Sequence, residues 1–289
     1  MSVKIFLFPL QHKSSVANQT APMQLAIQHQ TIYRYSSPLT YSIQQLRLTP
    51  RMELHQQTLQ WKIDSSGNMH SYTDAYGNQC HTLTVMGAHQ ELQIQASGIV
   101  DIQSPEHGRI KDAEHLSPYI YTVTSRFTEA DERITAFAHH HLASTLAGTR
   151  ELLGLATAIR STISYQSGST IVTTSASDAI ALGRGVCQDH AHVFLACCHV
   201  HGIPARYVSG YIDPESGEHA DSHAWVDVWA QDTDYHGWVS IDVTHARLMT
   251  DAYCRLAIGR DYESAAPVRG VRRGGGNETM QVRVLVTPR

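Results

Sequence analysis

The sequence predicts an α+β protein, with helices packed on an antiparallel sheet and an antiparallel β-rich region in front of them. Two observations carry this prediction. From residue 23 to about 103, short segments alternate apolar and polar residues and are separated by turn residues. After residue 104, apolar residues recur at helical spacing before strand-like segments return. The 289 residues suffice for one large domain or two modest ones, and we divide them at 1–22, 23–103 and 104–289.

The region 23–103 carries the β-rich pattern. A first strand is marked by Leu25, Ile27 and residues 31–33, and residues 59–63 and 92–96 alternate cleanly. Turn-forming residues lie between such segments at 65–68 and 76–78. Short strands at this spacing predict an antiparallel, sandwich-like domain.

Residues 1–22 are predicted to form a loose N-terminal extension. The apolar stretch 3–10 is too short to span a membrane. It resembles a weak signal-peptide core, but a charged leading segment and a small-residue cleavage site are poorly formed. We therefore expect a cytoplasmic protein, and the choice between Met1 and Met23 as the start stays open.

Helices dominate the region from 104 to about 202. Thr128 with Asp131 predicts the start of a helix to about Leu142, and Ser175 with Asp178 that of a short helix ending near Gly183. Further helices are predicted at 151–163 and from Cys187 to Gly202. Strands follow at 206–212, 223–230, 238–243 and 280–286, and the triple glycine 274–276 forms a turn.

Cys187 is the most informative single residue. Two glycines at 183 and 185 form a tight turn, and Cys187 then opens an apolar helix. A thiolate at a helix N-terminus is stabilised by unpaired backbone N–H groups and by the helix dipole. A small buried core thiol is the alternative, since most free cysteines are of that kind.

His223 and Asp242 lie on two strands that follow. His223 shares a strand face with Trp225 and Asp227, and Asp242 lies on the next strand. Antiparallel pairing across the polar turn near 232–234 can bring His223 and Asp242 side by side. Thiol acyl transfer needs these three parts: an attacking sulfur, an imidazole that moves the proton, and a carboxylate that orients the imidazole. Asp227 is the competing candidate for the carboxylate.

These segments resemble the transglutaminase-like superfamily, in its bacterial cysteine-hydrolase branch with a papain-like core. The matching segments are 185–192, 202–211, 223–228 and 238–244, in this order. Segments 31–35 with 46–51 resemble that branch's N-terminal domain, and 258–262 with 267–270 its C-terminal part, so the resemblance covers about 23–288. It implies that Cys187 is the nucleophile, His223 the general base and acid, and Asp242 the orienting carboxylate.

A substrate cleft is predicted around the nucleophile. Gln188, Tyr207, Tyr211 and Trp225 are the candidates to line it, although Trp225 also fits a core position. The backbone N–H of Cys187 is the natural first donor of an oxyanion hole, and the sequence does not assign a second donor.

Composition excludes several partners and cofactors. A net charge of −4 provides no basic footprint for nucleic acid or for an anionic membrane. Five cysteines without C-x-x-C spacing suggest neither a disulfide framework nor a zinc ribbon. His139, His140 and His141 point in different directions on a helix, so we expect no metal and no other cofactor.

The sequence thus predicts a cysteine protease or other amide hydrolase that acts on a peptide or protein through a thioester intermediate. Transfer of the acyl group to an amine would use the same intermediate, and the motif does not separate the two reactions. No EF-hand-type calcium loop is visible, and this favours hydrolysis over crosslinking. Two other classes stay open: a non-catalytic peptide-binding module, which an ordinary Cys187 thiol would indicate, and a histidine-based zinc hydrolase, which metal analysis would reveal. The oligomeric state and natural substrate are not specified.

Overall fold

A computed structural model describes residues 22–111, 116–214 and 222–289. The extension predicted for residues 1–22 lies outside these ranges except for its last residue, and Met23, the alternative start, is the first residue of β1. Within them the chain forms, in order, β1 (Met23–Leu46), β2 (Gln56–Ser65), β3 (Asn68–Thr73), β4 (Gln79–Ile102), β5 (Arg109–Ile110), α1 (Glu132–His141), α2 (Thr149–Thr162), β6 (Ser164–Tyr165), α3 (Ala176–Leu182), β7 (Arg184–Gly185), α4 (Cys187–Val200), β8 (Ala205–Ile212), β9 (Ser222–Gln231), β10 (His236–Asp242), β11 (Arg247–Leu248), β12 (Tyr253–Gly259), α5 (Tyr262–Ala265), β13 (Val268–Gly274) and β14 (Glu278–Pro288).

The first sheet is built on two long antiparallel strands, β1 and β4. Its order is β13-β1-β4-β2, with β14 also paired to β1 and β3 also paired to β4. The register between β1 and β4 shifts between Arg34 and Leu39 and again before Tyr41. Such irregularities bend a sheet and increase its twist. β1 can therefore pair with β14 along its first half and with β13 along its second.

The C-terminal strands belong to this first sheet. β13 and β14 lie end to end along one edge of β1, and both run antiparallel to it. Gly274, Gly275 and Gly276 join them, all with positive φ. The turn predicted at the triple glycine is therefore a local bend in one sheet edge and does not reverse the chain. Residues 268–288, which the sequence analysis grouped with 104–267, pair with the strand that starts at Met23.

The second sheet has the order β11-β10-β9-β8-β12, and β5 pairs with β10. Every pairing in it is antiparallel. Helices α1 to α4 and one face of this sheet enclose a common apolar core, to which β9 contributes Ala224, Val226 and Val228. The other face of β9 carries His223, Trp225 and Asp227, as the alternation predicts.

Side-chain amides of the first sheet cover the edge of the second. Gln56 bonds with both the N–H and the C=O of Arg255 in β12, and Asn78 does the same with Ile258. An uncovered edge strand would present unpaired backbone groups to other chains. These amides satisfy those groups and join the two sheets.

The predicted cap forms at α3 but is shifted at α1, where the N-cap is Asp131 and the Thr128 hydroxyl instead accepts from the N–H of Ser125. The Asp131 carboxylate accepts from the N–H of Ile134 at the start of α1, and Ser175 and Asp178 form a reciprocal capping box at α3. α3 ends at Gly183 with φ of 65°. Among the described residues, no helix is long and apolar enough to cross a membrane.

Candidate active site

Cys187 is the first residue of α4 and is partly exposed. Asp189 caps this helix start, because its Oδ2 accepts from the Val186 N–H at 2.7 Å and from the Thr170 hydroxyl at 2.6 Å. A Cβ on Gly185 would lie 2.7 Å from that same oxygen, so glycine is needed there. Asp189 is therefore a capping residue of α4.

The structure brings His223 and Asp242 together. The Nε2 atom of His223 donates to Oδ2 of Asp242 at 2.8 Å, and both side chains are buried. The Cys187 side chain lies beside the His223 ring, close enough to raise its pKa. With Nε2 bonded to Asp242, Nδ1 is the ring nitrogen left for the sulfur. Trp225 stacks on the His223 ring with centroids 6.0 Å apart. A thiol, an imidazole and a carboxylate thus follow one another in the order that acyl transfer requires.

The charges of the site favour a protonated imidazole. Burial by itself would lower the pKa of His223, but the adjacent Asp242 carboxylate and the Cys187 sulfur raise it to about 10. Burial would raise the pKa of Asp242, and the two imidazoles beside it instead hold that pKa well below its usual range. An imidazolium between a carboxylate and a sulfur is the arrangement that stabilises a thiolate.

Asp242 has two partners besides His223. The Tyr253 hydroxyl donates to Oδ2 at 2.7 Å, and Arg247 donates to that hydroxyl at 2.8 Å. The Nδ1 atom of His245 also donates to Oδ2, at 2.6 Å. Tyr253 lies on β12, three strands from β10, so the sheet is curved enough for its side chains to meet. The sequence analysis identified neither His245 nor Tyr253.

Asp227, the competing carboxylate, belongs to a different network. It accepts from Nε of Arg206 at 2.9 Å and from Nη1 and Nη2 of Arg255 at 2.8 and 2.7 Å. Nε of Arg255 in turn lies 2.8 Å from Oε2 of Glu53. Both guanidinium groups are buried. The structure therefore assigns the imidazole to Asp242 and the guanidinium groups to Asp227.

The predicted cleft residues need correction. Tyr211 and Trp225 are 0% exposed, and their polar atoms bond to His29 and to Ser240. They are core residues, because a side chain packed on all sides has no surface for a substrate. Tyr207 is also buried, between His192 and Tyr262.

Gln188 has a supporting contact instead of a free surface. Its Nε2 donates to the Val172 carbonyl at 3.2 Å, which ties the loop before α3 to the start of α4. That loop borders a cavity of about 490 Å³ lined by Thr170, Ile171 and Leu182 among others. Since Thr170 also bonds to Asp189, this cavity is next to the helix end that carries Cys187.

One group of side chains in the described part of the chain has metal-ligand spacing. Single ligand atoms of His223, Asp242 and His245 lie within 4.8 Å of one another. Two imidazoles and a carboxylate are donors that Zn²⁺ accepts. Here, however, Nε2 of His223 and Nδ1 of His245 already donate to the Asp242 carboxylate. These hydrogen bonds account for the short distances between the three side chains.

Cys187 differs from the other four cysteines, all five being in the described ranges. Cys80, Cys197, Cys198 and Cys254 are buried. Burial raises the pKa of Cys80 to about 11 and that of Cys197 to about 12. These thiols are unreactive at neutral pH, and only Cys187 combines exposure with a histidine partner.

The fold and this site define a transglutaminase-like protein, and comparison with known families agrees. Residues 25–101 match the bacterial transglutaminase-like N-terminal region, and residues 135–243 match the transglutaminase-like superfamily. The chain belongs to that superfamily. This confirms the resemblance drawn from the sequence motifs.

Two mycobacterial proteins are similar along nearly their whole length. An uncharacterized protein of Mycobacterium leprae is 32% identical in an alignment of length 287 that covers 91% of this chain and 98% of that protein. An uncharacterized protein of Mycobacterium tuberculosis is 30% identical in an alignment of length 288 that covers 91% of this chain and 92% of that protein.

A solved structure shares the fold. The crystal structure of "a Putative Cysteine Protease from Cytophaga hutchinsonii" superposes with a TM-score of 0.74 at 21% identity, over 93% of this chain and 92% of that one. The predicted α+β class, with a transglutaminase-like core and antiparallel sheets, is confirmed.

Proposed function

We propose that this protein is a cysteine-dependent amide hydrolase that acts on a peptide or protein substrate. One observation carries the proposal: His223 is bonded to Asp242 and lies beside Cys187, the first residue of a helix. The superfamily membership and the fold of a protein described as a cysteine protease support it.

The proposed reaction has two steps, formation of a thioester and its hydrolysis. The Cys187 sulfur attacks the amide carbonyl, and the tetrahedral intermediate collapses to a thioester as His223 gives its proton to the leaving amine. His223 then takes a proton from water, which attacks the thioester and releases the acid and the thiolate. Asp242 holds the His223 ring through Nε2, so that Nδ1 stays directed at the sulfur. The backbone N–H of Cys187, unpaired at the helix start, is the first oxyanion donor.

The first experiment is the pH dependence of Cys187 alkylation by iodoacetamide, followed by mass spectrometry of the Cys187 peptide. The four buried cysteines are internal controls in the same protein. We expect fast alkylation that persists well below pH 8, and slow alkylation in His223→Ala. If parent and variant both showed the pH profile of an ordinary thiol, a non-catalytic peptide-binding module would replace the hydrolase.

A second experiment separates hydrolysis from transfer to an amine. Hydroxylamine would trap the thioester as a hydroxamate in either case, since both reactions pass through it. Incubation with a casein substrate and a fluorescent primary amine then tests the acceptor. We expect peptide cleavage that the amine leaves unchanged, and covalent incorporation of the amine instead would make the protein a transamidase.

A further inference from the structure

The turn that follows β10 holds the Asp242 carboxylate from two sides. The backbone N–H of His245 donates to Oδ1 at 3.1 Å, and Nδ1 of its ring donates to Oδ2 at 2.6 Å. One residue therefore engages both oxygens of the carboxylate. A carboxylate held at both oxygens has one orientation, and the His245 ring and Tyr253 share the restraint on Oδ2.

This turn has an unusual backbone conformation. Ala246 has φ of 51°, and among the described residues only His107 is another non-glycine residue with positive φ. A left-handed alanine costs about 1 kcal/mol or more. The turn is short because Arg247 already pairs with Asp242 in the hairpin of β10 and β11. Ala246 lies in the turn that joins β10 and β11, directly after His245.

The same turn is attached to the helix that carries Cys187. His190, one turn along α4, accepts a hydrogen bond from the Thr244 hydroxyl at Nδ1 (3.0 Å) and donates from Nε2 to the Ile163 carbonyl (3.0 Å). Burial lowers the pKa of His190 despite these bonds, and a neutral ring is what both bonds need. Residues 244 and 245 thus connect the nucleophile helix to the carboxylate.

We propose that His245 is a positioning residue for the reaction: it fixes the orientation of Asp242 so that Oδ2 stays on Nε2 of His223. This inference rests on the proposed hydrolase function. The His245 side chain is 45% exposed, so it contributes little to the core, and its ring nitrogen bonds to the very oxygen that His223 uses. Tyr253 approaches this oxygen from the buried side, and His245 does so from the solvent side.

The groups around His245 are compatible with this role. Its ring centroid lies 5.5 Å from that of His223, and Arg160 donates to its backbone carbonyl at 3.2 Å. Arg247 acts on the carboxylate through Tyr253. Among the contacts described, the His245 ring therefore has Asp242 as its one carboxylate partner. Orienting that carboxylate is the role that its contacts support.

The test compares three variants by the pH profile of Cys187 alkylation. His245→Ala removes the ring donor, and His245→Asn restores an N–H near the position of Nδ1. Ala246→Gly is the matched control, because it changes the same turn but keeps the ring. We expect alkylation at pH 6.5 to fall about tenfold in His245→Ala, to recover in His245→Asn and to be unchanged in Ala246→Gly.

Thermal unfolding of each variant accompanies these measurements. If His245→Ala lowered the melting temperature but kept the parent's profile, the residue would be merely structural, and the inference would be wrong. Faster alkylation in His245→Ala than in the parent would also overturn the inference. His245 would then weaken the pairing of the Cys187 thiolate with the His223 imidazolium. A parent profile identical to that of His223→Ala would instead refute the hydrolase function itself, together with this inference.

Discussion

Asp227 and Asp242 are two buried carboxylates on neighbouring strands of one sheet, and they differ in their partners. Both are 0% exposed, and Asp227 pairs across the strands with Ser240, two residues before Asp242. Asp227 is bonded to two guanidinium groups, whereas Asp242 is bonded to two imidazoles and a phenol.

The chemistry of the partner determines what each carboxylate can do. A guanidinium keeps its charge at every working pH, so Asp227 is part of a permanent ion pair. An imidazole can give up its proton, so Asp242 can support a group that alternates between acid and base. Burial, sheet face and residue type are shared, and they do not distinguish the structural aspartate from the proposed catalytic one.

The largest expected effect is on activity, in Asp242→Asn. The amide cannot stabilise the imidazolium and favours the wrong tautomer of His223. The equivalent change in serine-protease triads lowers kcat on the order of 10⁴-fold. Peptide hydrolysis measured under single-turnover conditions checks this prediction. A loss below about tenfold would remove Asp242 from the proposed triad.

The second effect is on stability, in Asp227→Asn. The change leaves Arg206 and Arg255 buried without their shared counter-charge, and removing one partner of a buried ion pair costs about 3–5 kcal/mol. Urea unfolding gives the free energy directly. Asp234→Asn is the control, because Asp234 forms an exposed pair with Arg109, and we expect its stability to match the parent's. If Asp227→Asn were as stable as the parent, Asp227 would not be the structural counterpart of Asp242.

The third effect is on the pH dependence of stability. The pKa of His223 is raised to about 10 in the folded protein, against about 6.5 when unfolded. Its stabilisation is therefore complete below pH 6.5 and is lost as the pH rises toward 10. Between pH 7 and 8.5, the loss of this His223 contribution lowers the free energy of unfolding by at most about 2 kcal/mol. The four buried thiols, with a pKa of about 8.5 when unfolded, add a further fall that is the same with or without His223.

His223→Gln is the comparison for this pH dependence, because glutamine cannot titrate. Urea unfolding at pH 7 and pH 8.5 should show a smaller fall for the variant than for the parent. Asp227 stays ionised between pH 7 and 8.5, because its guanidinium partners keep their charge. It therefore does not contribute to the change in the free energy of unfolding over this range. Parallel slopes in both proteins would show that the folded His223 does not retain its proton.

The smallest effect is expected in Ala246→Gly. Glycine relieves the left-handed strain but has more freedom to lose on folding, so the net gain in stability is below about 1 kcal/mol. Thermal unfolding measures it. A clear loss of stability would mean that packing of the Ala246 methyl group stabilises the fold by more than the left-handed backbone destabilises it.

Local sequence signals predicted helices α1 to α4 and strands β8, β9 and β10, but not β11, β12 or α5. Asp131, Ser175 and Gly183 act within their own turns, so their roles depend on neighbours in the chain. His245 had such a signal as well, because it follows Asp242 by three residues at a strand end. The roles of Tyr253 and Tyr211 had none, since both depend on contacts between distant elements.

The sequence by itself determined the superfamily, the helix that begins at Cys187, and the strand faces of His223 and Asp242. The spacing of apolar residues and the helix caps are properties of a few consecutive residues, so they can be recognised without knowledge of the fold. Only the tertiary structure decided that Asp242 takes the imidazole and Asp227 the arginines, that Tyr211 and Trp225 are core, and that residues 268–288 complete the first sheet. These outcomes depend on how the sheets bend and which edges meet, and non-local pairing of this kind is not encoded in any short segment.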